Sequence, residues 1–141
     1  MSRQSALPGD IEIVDAAGGL ITPGLIDIHI HGARGHTFNE PTEPAFEVIL
    51  RENARRGVTS VLATTATDAI ANLAASLACA KRWMAAQEAG LHVGCAQLLE
   101  AHVEGPYFAL SQAGAQDPPI CAIQMMVQRR SCSNLPSASR S

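Results

Sequence analysis

Leu25-Ile26-Asp27-Ile28-His29-Ile30-His31, bracketed by Pro23-Gly24 before it and Gly32 after it, decides how the rest of the chain is read. Apolar, β-branched side chains recur at alternate positions, which is a strand period, and the glycine stops the run. Side chains two apart on a strand share a face. His29 and His31 therefore point the same way, with Cα atoms roughly 6.6 Å apart. Two imidazoles so placed can converge on one cation, and a neutral imidazole nitrogen is a good ligand for zinc and related metals. A histidine pair packed in a core, or exposed at a strand end, is the plainer reading of the same residues. Asp27, just before the pair, is read as facing away from it.

Outward from this strand the chain alternates. Gly32 to Pro44 has a loop composition. Pro44 to Arg56 carries Phe46, Ile49, Leu50 and Asn53 at helical spacing, with Glu43 and Glu47 near its start and Arg51, Arg55 and Arg56 towards its end. That charge order suits the helix dipole, and Gly57 supplies the cap. Val58 to Thr65 reads as a second buried strand. Thr67 is placed as the cap of a long alanine-rich helix, Asp68 to Ala89, closed by Gly90. His92 to Val103 holds a third strand from about Ala96, ending at Glu104-Gly105-Pro106. The expected elements are strands near 24–31, 58–65 and 96–103 and helices near 44–56 and 68–89. Strands separated by helices imply right-handed parallel crossovers, hence an α/β sheet or barrel. Eight βα units need about 250 residues, so 141 residues supply only the first strands of such a barrel.

Upstream, Ile11 to Asp15 is a short β-prone run that ends in the turn signal Ala16-Ala17-Gly18-Gly19. Downstream, Cys121 to Ser141 holds three arginines, five serines and no acid, and the net charge changes from −6 over the first 120 residues to +3. An irregular tail is expected there, possessing no period and consistent with out-of-frame translation after Ile120.

Composition narrows the function classes. With 47% hydrophobic and 16% charged residues the chain can bury a core. Aromatic residues are only 4%, so Ala, Leu, Ile and Val are expected to fill most of it. A net charge of −3 without a basic stripe gives no reason to expect nucleic-acid binding. Cys79, Cys95, Cys121 and Cys132 lack zinc-knuckle or Cys-x-x-Cys spacing, and Cys79 and Cys95 read as buried free thiols. Met1 to Asp10 lacks the cationic start and apolar run of a signal peptide, and no stretch reaches the roughly 18 apolar residues that span a bilayer. A cytoplasmic, reducing location is expected, with no membrane partner.

Glu104 is the second chemical signal. A carboxylate at the end of a buried strand is costly to bury as an anion unless it is paired or bound to metal. His102 lies two before it and shares its side, where a packed histidine is the plainer reading. His36, His92, Tyr107 and Phe108 are read as surface (the histidines) and packing (the aromatics). The threonines of Val58 to Thr65 are expected to hydrogen-bond backbone.

Three stretches carry a family resemblance. Pro23 to Gly32 resembles the opening strand of the amidohydrolase superfamily. His102-Val103-Glu104-Gly105-Pro106 resembles the His-Leu-Glu-Gly-Pro motif of the N-acetylglucosamine-6-phosphate deacetylase family, and Ala113-Gly114-Ala115-Gln116-Asp117-Pro118 its Lys-Gly-Ala-His-Asn-Pro segment. The resemblance runs from about Ile11 to Ile120. It implies an α/β fold, the first three strands of a partial TIM-like (β/α) barrel over 23–120. Residues 1–22 would then be the remnant of a small N-terminal β-domain, and 121–141 the irregular tail. It implies His29, His31 and Glu104 as ligands of one or two divalent ions, zinc before iron, manganese or cobalt. Ala115 and Gln116 would lie against an amino-sugar phosphate, with Gln116 standing where many members have histidine. The implied reaction is deacetylation by metal-activated water, with a late-strand aspartate moving the proton. That aspartate and two further histidine ligands have no counterpart in these 141 residues, so a truncated and inactive piece of an oligomeric enzyme is expected. Two other readings stay open. One is a different amidohydrolase, of the dihydroorotase or hydantoinase kind. The other is a non-enzymatic metal-binding module.

Overall fold

A computed structural model describes residues 14–117 and Ile120. In chain order it places β1 (Leu25–Ile30), β2 (Gly32–Ala33), β3 (His36–Thr37), α1 (Glu43–Arg55), β4 (Val58–Thr65), α2 (Ile70–Glu88) and β5 (Gln97–Val103), then a 3-10 turn over Leu110–Gln112. β4 lies between β1 and β5, and both pairings are parallel. This is an α/β fold with a three-stranded parallel sheet, in the strand-helix order that the sequence implies. Gly24 runs so close to β4 that a Cβ there would collide with the Thr59 side chain.

The expected loop after Gly32 instead contains a ribbon, β2 paired antiparallel with β3. Arg34 and Gly35 both have positive φ, 55° and 82°, the backbone of a type I′ hairpin turn. Two-residue strands leave no period in a sequence. The Ala-Ala-Gly-Gly turn is present, with the Gly19 N–H donating to the Ala16 carbonyl at 2.7 Å. Val14 and Asp15 are not in a strand, and the rest of that run, Ile11–Ile13, lies outside the described residues, as does the tail from Cys121 with Cys121 and Cys132.

α1 buries Ala45, Phe46, Ile49, Leu50 and Asn53, one stripe at helical spacing. Buried Asn53 satisfies its own amide on the Ile49 carbonyl at 2.9 Å. α2 buries Leu73, Ser76, Cys79, Ala80 and Trp83. It starts at Ile70 rather than Asp68, and Thr67 does not cap it. Ala69 holds the cap position without a side-chain bond, while the Asp68 carboxylate takes the Ala69 N–H at 2.7 Å.

The core joins these stripes to one face of the sheet: Phe38, Phe46, Ile49, Leu50, Val61, Ala63, Cys79, Trp83 and Leu98 are among its members. Its centre is more aromatic than the composition suggests. The Phe38 and Phe46 rings meet edge to face at 5.0 Å, and Phe46 lies 6.2 Å from Trp83. His92 is no surface residue: its ring stacks on Trp83 at 3.6 Å, and it sits in a turn before β5, not in the strand. Cys79 is buried and Cys95 half-buried, both free, and burial pushes both thiols above their ordinary pKa. The other face of the sheet is open. Ile26, Ile28 and Leu99 there are 63%, 65% and 43% exposed.

Candidate metal centre

Two irregularities of register aim the ligand side chains. Three steps along β1, Asp27 to Ile30, match two along β4, Val61 to Ala63. Two steps along β5, Leu98 to Glu100, match one along β4, Val61 to Leu62. Over these stretches each flanking strand carries one residue more than β4, a β-bulge, which re-aims the side chains beyond it. Asp27 lies opposite core residue Val61, and Ile30 opposite core residue Ala63. His29, between them, is turned to the open face. Plain alternation would put Asp27, His29 and His31 together, so Asp27 faces away from the pair, as expected, only because of this bulge. Leu98 is in the core, and alternation would place Glu104 on the same side. The bulge in β5 instead brings His102 opposite Thr64 and Glu104 to the open face with the histidines.

There His29, His31 and Glu104 come together. Glu104 Oε2 stands 3.1 Å from His29 Nε2 and 3.2 Å from His31 Nε2, and one ligand atom from each residue lies within 4.8 Å of the others. The His31 ring is oriented from behind: its Nδ1 is 3.2 Å from the Thr64 carbonyl. A carbonyl only accepts, so Nδ1 carries the proton and the Nε2 of a neutral ring is a bare lone pair. The His31 carbonyl is fixed too, by the Phe38 N–H at 2.8 Å and the Thr37 hydroxyl at 3.1 Å. The ribbon thereby clamps the exit of β1.

Glu104 divides its two oxygens. Oε1 accepts the Gln116 side-chain amide at 3.1 Å, and the Gln116 oxygen in turn accepts the Thr67 N–H at 3.0 Å. Oε2 is buried and takes no hydrogen bond. Three lone-pair donors facing one another at such distances repel unless a cation, a proton or a metal ion, lies among them. Ligands about 2.0–2.1 Å from a tetrahedral zinc stand roughly 3.3 Å from each other, so the two carboxylate–imidazole spacings and the nitrogen–oxygen donor set fit a divalent metal. Behind Glu104 the chain turns sharply, since Gly105 has φ +81° and a Cβ there would collide with the Thr67 hydroxyl.

Other sequence-predicted residues fall differently. His102 is exposed rather than packed, its ring edge-on to His29 at 5.2 Å. Tyr107 is 69% exposed rather than packed. Ala115 is exposed, beside Gln116. His36 is half-buried, and its Nδ1 bonds Glu40 at 3.1 Å. That bond and the Thr37 N–H hold the Glu40 carboxyl below its usual range. Thr64 hydrogen-bonds backbone, as expected, accepting the Ile30 N–H at 3.2 Å.

Sequence reasoning missed Asn39. Its amide nitrogen donates to the Ala66 carbonyl and to Asp68, both at 3.0 Å, and its oxygen accepts the Ala66 N–H at 2.8 Å. Its carbonyl accepts from Asn72 and Ser76. It ties the ribbon to the exit of β4, and a lone loop asparagine gives no periodic signal. A cleft of about 490 Å³ lined by Val58, Gln87, His92 and Gln97 lies at the opposite end of β4 and β5 and holds none of the converging ligands.

Residues 20–118 match the amidohydrolase family. The chain is 38% identical over 109 residues to the N-acetylglucosamine-6-phosphate deacetylase of Bacillus subtilis (strain 168), covering 77% of this chain and 27% of that protein. It is 31% identical over 113 residues to the N-acetylgalactosamine-6-phosphate deacetylase of Escherichia coli O157:H7, covering 80% and 29%. A crystal structure of N-acetylglucosamine-6-phosphate deacetylase from Thermotoga maritima matches with a TM-score of 0.59 at 27% identity, over 70% of this chain and 25% of that one. The chain thus spans about a quarter of the length of these relatives.

Proposed function

Because this chain belongs to the amidohydrolase family, we propose that it is the N-terminal part of a metal-dependent deacetylase of amino-sugar phosphates. In this reading N-acetylglucosamine-6-phosphate and water give glucosamine-6-phosphate and acetate. The observation that carries it is the meeting of His29, His31 and Glu104 around one point, with a buried carboxylate oxygen that has no hydrogen bond. The relatives' names support the substrate class, and the galactosamine relative makes the 4-epimer of the sugar the second candidate.

The three strands are the first three of a (β/α) barrel over 23–120, with 1–22 the remnant of an accessory β-domain and 121–141 an added tail. The ligand ends lie at the C-terminal ends of β1 and β5, the end at which parallel barrels build active sites. His29, His31 and Glu104 hold one or two divalent ions, with zinc first. When bound, such an ion polarises the amide carbonyl and makes water nucleophilic near neutral pH. The Thr64 carbonyl keeps the His31 Nε2 available, and Ala115 and Gln116 lie against the sugar phosphate. The enzyme is cytoplasmic and oligomeric. The 141 residues alone offer no late-strand aspartate to move the proton and no further histidine ligands of the family pattern, so alone they release no acetate.

Zinc titration of the purified chain tests the site. Weak binding is expected in the parent and none in His31→Ala or Glu104→Ala. Binding that survives in both variants puts the ion elsewhere and sinks the assignment. Acetate release from N-acetylglucosamine-6-phosphate at an ordinary enzymatic rate would overturn the inactivity.

A further inference from the structure

Gln116 comes from a segment beyond β5, returned to the site by a turn in which its N–H donates to the Ala113 carbonyl at 3.0 Å. Its amide has no freedom to flip. The Thr67 N–H can only donate, so it requires the amide oxygen, and this leaves the amide N–H for Glu104 Oε1. One side chain thereby bridges the exits of β4 and β5, the strands that supply the Thr64 carbonyl and Glu104. Without the Gln116 N–H, Glu104 could rotate and offer either oxygen. With it, Oε1 is engaged and Oε2 is the oxygen presented to both imidazoles.

We propose that Gln116 is a positioning residue for the metal carboxylate, fixing which oxygen of Glu104 faces His29 and His31 by anchoring it to the backbone of Thr67. This rests on the metal-site reading above. It gives the glutamine a task different from touching substrate. Hydrogen bonds to the outer oxygen of a ligating carboxylate are worth about 10–100-fold in metal affinity.

The test uses the whole 141-residue chain with cobalt(II) as the probe, read by its visible d–d absorption. Parent, His31→Ala and Gln116→Met are compared, the last keeping side-chain length while removing both hydrogen bonds. Melting of each metal-free protein is followed alongside. The expected result is a cobalt affinity reduced by about 10–100-fold in Gln116→Met, with an altered d–d spectrum. The metal-free Gln116→Met protein should melt somewhat below the parent, because the Thr67 N–H loses its acceptor. A purely structural role would lower that curve and leave the spectrum of the bound metal alone, whereas a positioning role changes both. If His31→Ala abolishes binding while Gln116→Met matches the parent in affinity and spectrum, the positioning role is overturned and the metal site stands. If the parent binds no cobalt, or His31→Ala binds as the parent does, the metal site itself is overturned and the positioning role with it.

Discussion

The two faces of the sheet are built from the same three strands and behave as different materials. Towards α1 and α2, Val61, Ala63 and Leu98 are at most 3% exposed and share a core with Phe46 and Trp83. Away from the helices, Ile26, Ile28 and Leu99 stand open beside His29, His102 and Glu104. The first face is finished: its apolar area has been removed from water, and that burial is what stabilises a small domain. The second carries nearly all of the chemistry, and neither α1 nor α2 covers it. Stability and function have been sorted onto opposite sides of one layer.

The largest test of this contrast is Trp83→Ala. Truncating a buried tryptophan costs about 3–5 kcal/mol, a large share of the about 5–15 kcal/mol available to a typical domain. It also removes the platform under His92. Chemical denaturation should show an unfolded or nearly unfolded chain, and a two-state transition near the parent midpoint would mean that the helix face is not where the stability lies.

Asn39→Ala probes the seam between the faces and should cost about 1–3 kcal/mol, since it strips partners from the Ala66 backbone and Asp68. It carries a pH signature as well. Burial works against ionisation of Asp68, but bonds from Asn39, Asn72 and the Ala69 N–H outweigh it and hold the carboxyl below its ordinary range. Its stabilisation is therefore complete above the unfolded pKa of about 3.9 and is lost as pH falls through the lower folded value. Acid unfolding of Asn39→Ala should have a shallower dependence in that window, and an unchanged slope would remove Asp68 from the account.

Ile28→Ser should have the smallest effect on folding, within about 0.5 kcal/mol. Its consequence is expected in sedimentation, where the parent self-associates more than the variant because an open apolar sheet face attracts other chains. Destabilisation of several kcal/mol would instead mean that this face is already packed.

Much of the helix-covered face was legible. Phe46, Ile49, Leu50 and Asn53 were read from their spacing and are buried, and the strand-helix order follows from period and turn residues. The ligand residues were legible too, but by motif. What alternation could not give is why they share a face. Leu98 and Glu104 are six apart and point to opposite sides, because register against β4 is settled by packing between strands rather than within either one. The ribbon at Gly32–Thr37 is too short for any period. Thr67 looked like a helix cap, but its backbone N–H is spent on Gln116 and its hydroxyl sits under the turn at Gly105. Such roles depend on residues far away in the chain.

The bulges also say how this site can be lost or acquired. A substitution at Ile28 or Leu99 changes a side chain and leaves the ligands where they are. Removing one residue from either strand would turn its imidazole or carboxylate towards the helices while leaving composition almost untouched. The site is thus encoded in length as much as in chemistry, and single-residue insertions and deletions, rather than point mutations, are the events to which its lineage is most sensitive.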